Sequence, residues 1–232
     1  MGAALHHDSP QNVFSRSRAL VMLGLPGAGK GTQAREISRE FSVPEISTGS
    51  MLRDAVSQGT PLGLKARSIM ESGQLVPDPV VYDLVAERTL KPDCLGGFIL
   101  DGFPRNLEQA SFLDQLLQAR NWGASQALYI QVDEAALFKR LVGRRECPVC
   151  GTLYNIYLNP PRRPGLCDED GSELIQRKDD SEEVIRRRFS EFKSQTLPLI
   201  ERYRRLNALF EVDGNQEPRS VTQQVFRFLR EP

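Results

Sequence analysis

Residues 19–41 constrain this chain more than any other stretch. Ala19, Leu20, Val21, Met22 and Leu23 form an unbroken apolar run, as expected of a parallel strand buried on both faces. Gly24-Leu25-Pro26-Gly27-Ala28-Gly29-Lys30-Gly31-Thr32 follows, and residues 33–41 carry apolar positions at helical spacing. The order is strand, glycine loop, helix. Glycines let backbone N–H groups point into one hollow without a Cβ in the way, and the helix adds its positive end. Lys30 contributes a full charge suited to the outer phosphates of a nucleotide. The usual pattern puts a hydroxyl directly after the lysine, whereas here Gly31 intervenes and Thr32 is the first hydroxyl. A glycine-rich turn without a ligand is the bland alternative, and the fitting flanks weigh against it.

At 232 residues the chain can bury one sizeable core and carry an inserted module. Lys+Arg 30 and Asp+Glu 30 cancel, so no global field draws the protein to nucleic acid or a membrane surface. No apolar run reaches membrane-spanning length. Residues 1–17 are polar, with His6 and His7 adjacent and no apolar core of a secretory signal. They read as a flexible tail. A mitochondrial transit peptide is the alternative, with Arg16 and Arg18 as its only basic residues besides the histidines. The expected compartment is the cytoplasm.

Residues 43–53 read as a short extended piece entering a helix that Ser47 or Thr48 caps. Helices are expected over 62–71 and 78–90, the second opened by Asp78 with Pro79 at the first helical position. Gly97-Phe98-Ile99-Leu100-Asp101 is an apolar strand ending in a carboxylate. Ligands of open α/β sheets lie beyond the carboxyl ends of the strands, so Asp101 is expected beside the phosphate loop, where a magnesium ion needs a hard oxygen partner. A cap on the next turn is the structural alternative. A helix over 107–120, a strand at 127–132 and a helix from Asp133 to 145 follow. Arg140 and Arg144, four apart, are expected on one face of that helix, at a cost of roughly a few tenths of a kcal/mol unless an anion compensates. A solvated basic face is the other reading. Asp180-Ser181-Glu182-Glu183 reads as a capping box for a helix to 206, which Pro198 kinks or interrupts. A strand at 208–212 and a helix at 221–230 complete the order.

Three of the four cysteines crowd one stretch. Cys147 and Cys150 form a C-x-x-C, and Cys167 with Asp170 repeats the spacing with a carboxylate in the last place. Two such knuckles supply four ligands to a tetrahedral zinc ion, for which carboxylate oxygen is an accepted ligand. Disulfide or redox use of the C-x-x-C is the alternative. The zinc site would be structural, and metal binding would supply much of the folding free energy of so small a module. Cys94 stands alone and reads as a small, partly buried apolar residue.

From about residue 18 to 229 the chain resembles the adenylate kinases, in the long form with a zinc-bearing lid found in bacteria. The resemblance rests first on the phosphate loop through Gln33, with the glycine after lysine that nucleoside monophosphate kinases carry. It continues in Ile46-Ser47-Thr48-Gly49 with Met51-Leu52-Arg53, in Leu100-Asp101-Gly102-Phe103-Pro104-Arg105 with Gln109, and in Val142-Gly143-Arg144-Arg145. Asn159-Pro160-Pro161 and Arg177-Lys178-Asp179-Asp180 complete it. It implies an α/β, P-loop NTPase-type three-layer fold with a five-stranded parallel sheet, a helical AMP-binding insert and a small β-rich zinc-bearing lid. Residues 1–17 would be tail, 18–46, 77–143 and 182–232 core, 47–76 insert, and 144–181 a lid hinged near Arg145 and Lys178. The implied reaction is reversible phosphoryl transfer from MgATP to AMP giving two ADP, with lid closure excluding water. The implied protein is a monomer using Mg2+ with ATP and a structural Zn2+.

Carried over position by position, Lys30, Asp101, Arg105, Arg140, Arg144, Arg177 and Arg188 would be catalytic. Gly27, Ala28, Gly29, Lys30, Gly31, Thr32, Arg140, Arg144, Thr152, Leu153 and Tyr154 would hold ATP. AMP would be held by Thr48, Arg53, Gln74, Val76, Gly102, Arg105, Gln109, Arg177 and Arg188, and zinc by Cys147, Cys150, Cys167 and Asp170. Phe103-Pro104 matches a position where the family has a cis peptide. Ser50 stands where the family usually has an aspartate associated with the magnesium water shell, so the enzyme is expected to work with weakened magnesium use. Gln74 stands where lysine is common. Competing readings are a kinase with GTP as donor or CMP or UMP as acceptor, and a zinc-ribbon nucleic-acid-binding protein. Against the last, there is no aromatic interleaving suited to base stacking.

Overall fold

The computed structural model describes residues 12–230. In chain order the strands are β1 (Ala19–Leu23), β2 (Glu45–Ser47), β3 (Phe98–Asp101), β4 (Gln126–Gln131), β5 (Arg144–Glu146), β6 (Leu153–Asn155) and β7 (Leu209–Asp213). The helices are α1 (Val13–Arg16), α2 (Lys30–Phe41), α3 (Thr48–Ser57), α4 (Pro61–Glu71), α5 (Asp78–Arg88), α6 (Leu107–Ala119), α7 (Glu134–Val142), α8 (Glu182–Glu191), α9 (Leu197–Arg205) and α10 (Pro218–Arg230). Five strands form one parallel sheet in the order β2-β3-β1-β4-β7.

Strand alternation divides the core in two. Val21, Leu23 and Leu100 pack with Leu113, Leu117, Leu199 and Tyr203 on one side of the sheet. Leu20, Met22, Ile99, Leu128 and Ile130 pack with Ile37, Leu137, Ile185 and Val225 on the other. The sheet is therefore the middle of three layers, which is why its central strands read as continuous apolar runs. Each fully buried leucine or isoleucine here contributes roughly 2 kcal/mol of transfer free energy.

Two excursions leave the sheet. Between β2 and β3, α4 crosses α3 so closely that a Cβ on Gly63 would lie 2.0 Å from the Ala55 carbonyl oxygen. After α7, β5 and β6 pair antiparallel, and Glu146 bridges to Ile175 to close a small β module around the cysteines.

Several local expectations are corrected. Residues 1–11 lie outside the described residues, but the expected tail does not extend to 17. Asn12 and Ser15 cap α1 reciprocally, and Val13 and Phe14 are buried in the core. Phe14 lies over Gly97, where a Cβ would come within 2.7 Å of the ring. One helical turn is too short to show periodicity, so the polar composition hid it. Arg140 and Arg144 do not share a helix face, because α7 ends at Val142 and Arg144 begins β5. Ser181 precedes α8 without a side-chain cap bond. Asp78 is the first residue of α5, and its carboxylate instead accepts from Asn106 and Gln109. The interruption before Pro198 is a π-helical turn over Phe192–Thr196, between α8 and α9. Cys94 is fully buried.

Candidate functional site

The loop after β1 wraps a hollow at the carboxyl end of the sheet. Gly24 adopts φ 148°, and a Cβ there would lie 2.8 Å from the Ile130 carbonyl oxygen, so the loop can pass β4 only with glycine. Gly29, at φ 93°, is the N-cap of α2 and turns the helix start toward the hollow. The Lys30 ammonium folds back over the loop and donates to the carbonyls of Gly24 (2.8 Å) and Leu25 (3.1 Å). Burial, opposed by Asp101 and reinforced by Arg105, Arg188 and Arg144, lowers its pKa to about 8.

The hollow opens into a cavity of about 1030 Å³. Gly27, Ala28, Gly29, Lys30, Gly31 and Thr32 line it, as do Asp101, Gly102, Leu153 and Tyr154 and the arginines 53, 105, 140, 144, 177 and 188. Three of these guanidinium groups are held by carboxylates behind them. Arg144 makes a bidentate pair with Asp180 (2.7 and 2.5 Å), whose side chain is fully buried. Arg177 makes a second such pair with Glu146, and Arg188 reaches Asp179 (2.8 Å) and Asp180 (3.4 Å). Burial lowers the Arg188 pKa to about 10 and lowers those of Arg105 and Arg53. So many partly desolvated cations around one space are compensated best by a polyanion.

A second cavity of about 80 Å³ adjoins the first and shares Arg53, Gly102, Arg105 and Arg188 as its wall. Thr48, Gln74, Val76 and Gln109 line its other sides. Thr48 donates to the Gly102 carbonyl (3.0 Å). Gln109 is buried, donating to Asp78 and accepting from the Arg105 N–H, both at 2.7 Å. The Phe103–Pro104 peptide is cis. Thr196, at the end of the π-helical turn, donates to the Arg105 carbonyl at 2.7 Å and so braces the loop that carries the arginine.

Thr152 is not brought to the cavity. Its hydroxyl accepts from the Cys150 thiol at 3.1 Å. Cys147, Cys150, Cys167 and Asp170 converge, with one ligand atom from each lying within 4.8 Å of the others. The Cys150 and Cys167 sulfurs are 3.6 Å apart and all three cysteines are free thiols. That separation is too long for a disulfide and close to the roughly 3.8 Å set by two Zn–S bonds of about 2.3 Å at a tetrahedral angle. The donor set fits zinc.

Glu45, Glu146, Asp179 and Thr196 received no role from the sequence, and Asp180 only that of a helix cap. Alternation along β2 was a usable signal for Glu45, since positions 45 and 47 share a face and Ser47 pairs with Asp101. Burial and Asp101, opposed by Arg35, push the Glu45 carboxyl up to about 7. No helix among the described residues is long and apolar enough to cross a membrane.

The family model described as adenylate kinase matches residues 22–208. An adenylate kinase of Clostridium perfringens (strain SM101 / Type A) is 46% identical over 210 residues, 90% of this chain and 97% of its own. One from Bacillus subtilis (strain 168) is 47% identical over 202 residues, 87% of this chain and 93% of its own. One from Thermodesulfovibrio yellowstonii is 50% identical over 195 residues, 84% and 91%.

Proposed function

The chain belongs to the adenylate kinase family, and from that premise we propose how its residues divide the work of phosphoryl exchange. As a nucleoside monophosphate kinase it acts on ATP, AMP and ADP. ATP phosphates lie on the phosphate loop and Lys30, and AMP straddles the wall between the cavities, with its adenine entering the smaller one toward Gln109 and its phosphate on Arg53 and Arg105. The observation that carries this division is the shared wall, since Arg53, Arg105 and Arg188 border both cavities. A phosphoryl group crossing from one nucleotide to the other must pass these groups. Its transfer needs little covalent help from a protein, only in-line placement and positive charge on the oxygens. Arg140, Arg144, Arg177 and Arg188 supply that charge in planar, permanently ionised form.

Asp101 would hold the magnesium that comes with ATP, which would supply neutralising charge to the phosphate oxygens. Residues 144–181 act as a lid, so the arginines it carries assemble around the phosphates only when water has been shut out. Zinc held by Cys147, Cys150, Cys167 and Asp170 stiffens that lid; the converging free thiols support it. The enzyme works as a monomer in the cytoplasm, without nucleic acid or membrane partners, a reading supported by its balanced charge and reduced cysteines.

A coupled assay of ADP formation from ATP and AMP with magnesium tests the reading, with CMP, UMP and a GTP donor in parallel. ADP that forms only when ATP and AMP are both present supports it. Faster turnover with another acceptor or donor would reassign the smaller cavity or the loop.

A further inference from the structure

In a cavity crowded with cations, Glu146, Asp179 and Asp180 are each taken up by an arginine. Four other carboxylates on its wall, Glu45, Asp54, Asp101 and Glu191, have no side-chain hydrogen bond or ion pair with another described residue. Of these, Asp101 and Glu45 stand beside the phosphate loop. If Gly31 carried a Cβ, it would lie 3.7 Å from Asp101 Oδ2 and 3.8 Å from Glu45 Oε1, so one point on the loop faces both oxygens. The pairing of β2 with β3 explains the placement: Ser47 lies opposite Asp101, and Glu45 is one same-face step back, at a distance a glutamate side chain spans. Arg35 is bonded to the Gly31 carbonyl and does not pair with Glu45. Two neighbouring carboxylates without a partner are costly unless a cation joins them.

We propose that Glu45 and Asp101 together form the carboxylate wall of the magnesium–nucleotide site, so that preference for metal-bound nucleotide rests on two charges. This rests on the reading that the nucleotide donor lies on the phosphate loop with magnesium. Hard oxygen donors of this kind suit magnesium, which keeps its waters and takes few carboxylates. Glu45 is a positioning residue on this account, acting on the hydrated ion and not on the transferring group. At pH 8, where the Glu45 carboxyl is ionised, the same charge repels nucleotide that arrives without its metal.

That opposition supplies the test. Calorimetry on the full chain measures the affinity of a non-hydrolysable ATP analogue with magnesium and, separately, with EDTA. Mn2+ titration of the protein–analogue complex, read by the electron paramagnetic resonance signal of free Mn2+, gives the metal affinity directly. Glu45→Gln is expected to weaken Mn2+ about tenfold, the size of effect seen when outer-shell partners of a metal are removed. Binding of the metal-free analogue is expected to hold or tighten, which also reports that the variant is folded. Glu45→Asp, which keeps the charge, is expected to retain more of the metal preference than Glu45→Gln. Equal metal preference in the wild type and Glu45→Gln overturns the proposal while leaving the kinase reading intact. Failure of the wild type to bind the analogue in either form overturns both.

Discussion

Lys30 is held in a state that favours function over stability, and the two can be separated by pH. Burial lowers its pKa from 10.5 to about 8, with Asp101 opposing the fall and Arg105, Arg188 and Arg144 adding to it. Below that value the lysine is protonated both folded and unfolded, and the folded state bears the full burial cost. As pH rises through about 8 the folded lysine gives up its proton while the unfolded one keeps it until about 10.5. Over that window the unfolded chain binds more protons, so stability rises with pH. Between about pH 7.5 and about pH 9.5 the gain is about 2 kcal/mol, or about 5 °C in melting temperature for a chain of this size. Replacing Lys30 with methionine removes the titration. Urea unfolding of both proteins without nucleotide, at several pH values, gives the difference curve. The loss of the two bonds to Gly24 and Leu25 shifts that curve as a whole, and only the lysine proton gives it a slope. Wild type and Lys30→Met curves that run parallel across the window would refute the reasoning.

Other consequences are as direct. Arg105→Lys removes a planar donor from the wall between the cavities, and kcat is expected to fall about a thousandfold with melting temperature nearly unchanged; steady-state kinetics beside a thermal melt decides this. Thr196→Val leaves the Arg105 carbonyl without its donor, costing about 1–2 kcal/mol in urea unfolding and lowering kcat more than it changes the KM for ATP; an equal change in both would mean the hydroxyl serves stability alone. Cys167→Ser, or prolonged chelation, is expected to release bound zinc in a colorimetric assay and to lower melting temperature by several degrees. A purified protein with no zinc and no response to chelator would leave the thiols without that role.

What was legible in the sequence was what repeats or what punctuates. β1 and α2 were readable because a strand buried on both faces is apolar throughout and the glycines between them carry positive φ that other residues resist. Asp101 was readable because a strand end fixes where its last side chain goes, and the cysteine knuckles because their spacing is local. Roles that depend on distant pairing were hidden. Asp180 matters because Arg144 and Arg188 arrive from β5 and α8, and Glu45 because β2 lies beside β3. Arg140 and Arg144 illustrate the opposite error: a helical spacing was inferred across Gly143, where the chain leaves the helix, yet both side chains still line the cavity. The π-helical turn left no mark beyond Pro198, since one extra residue per turn changes no composition.

The order of strands also sets a timetable for synthesis. The sheet runs β2-β3-β1-β4-β7, so β4 sits between a neighbour made more than a hundred residues earlier and one made roughly eighty residues later. Until residues 209–213 emerge from the ribosome, β4 presents an open parallel edge, and the whole cysteine module is made in the interval. Non-local closure of this sort is slow. A chain stalled or truncated before β7 would therefore hold most of its active-site residues and still expose an unpaired strand beside a half-covered core, the state most prone to aggregate or recruit a chaperone.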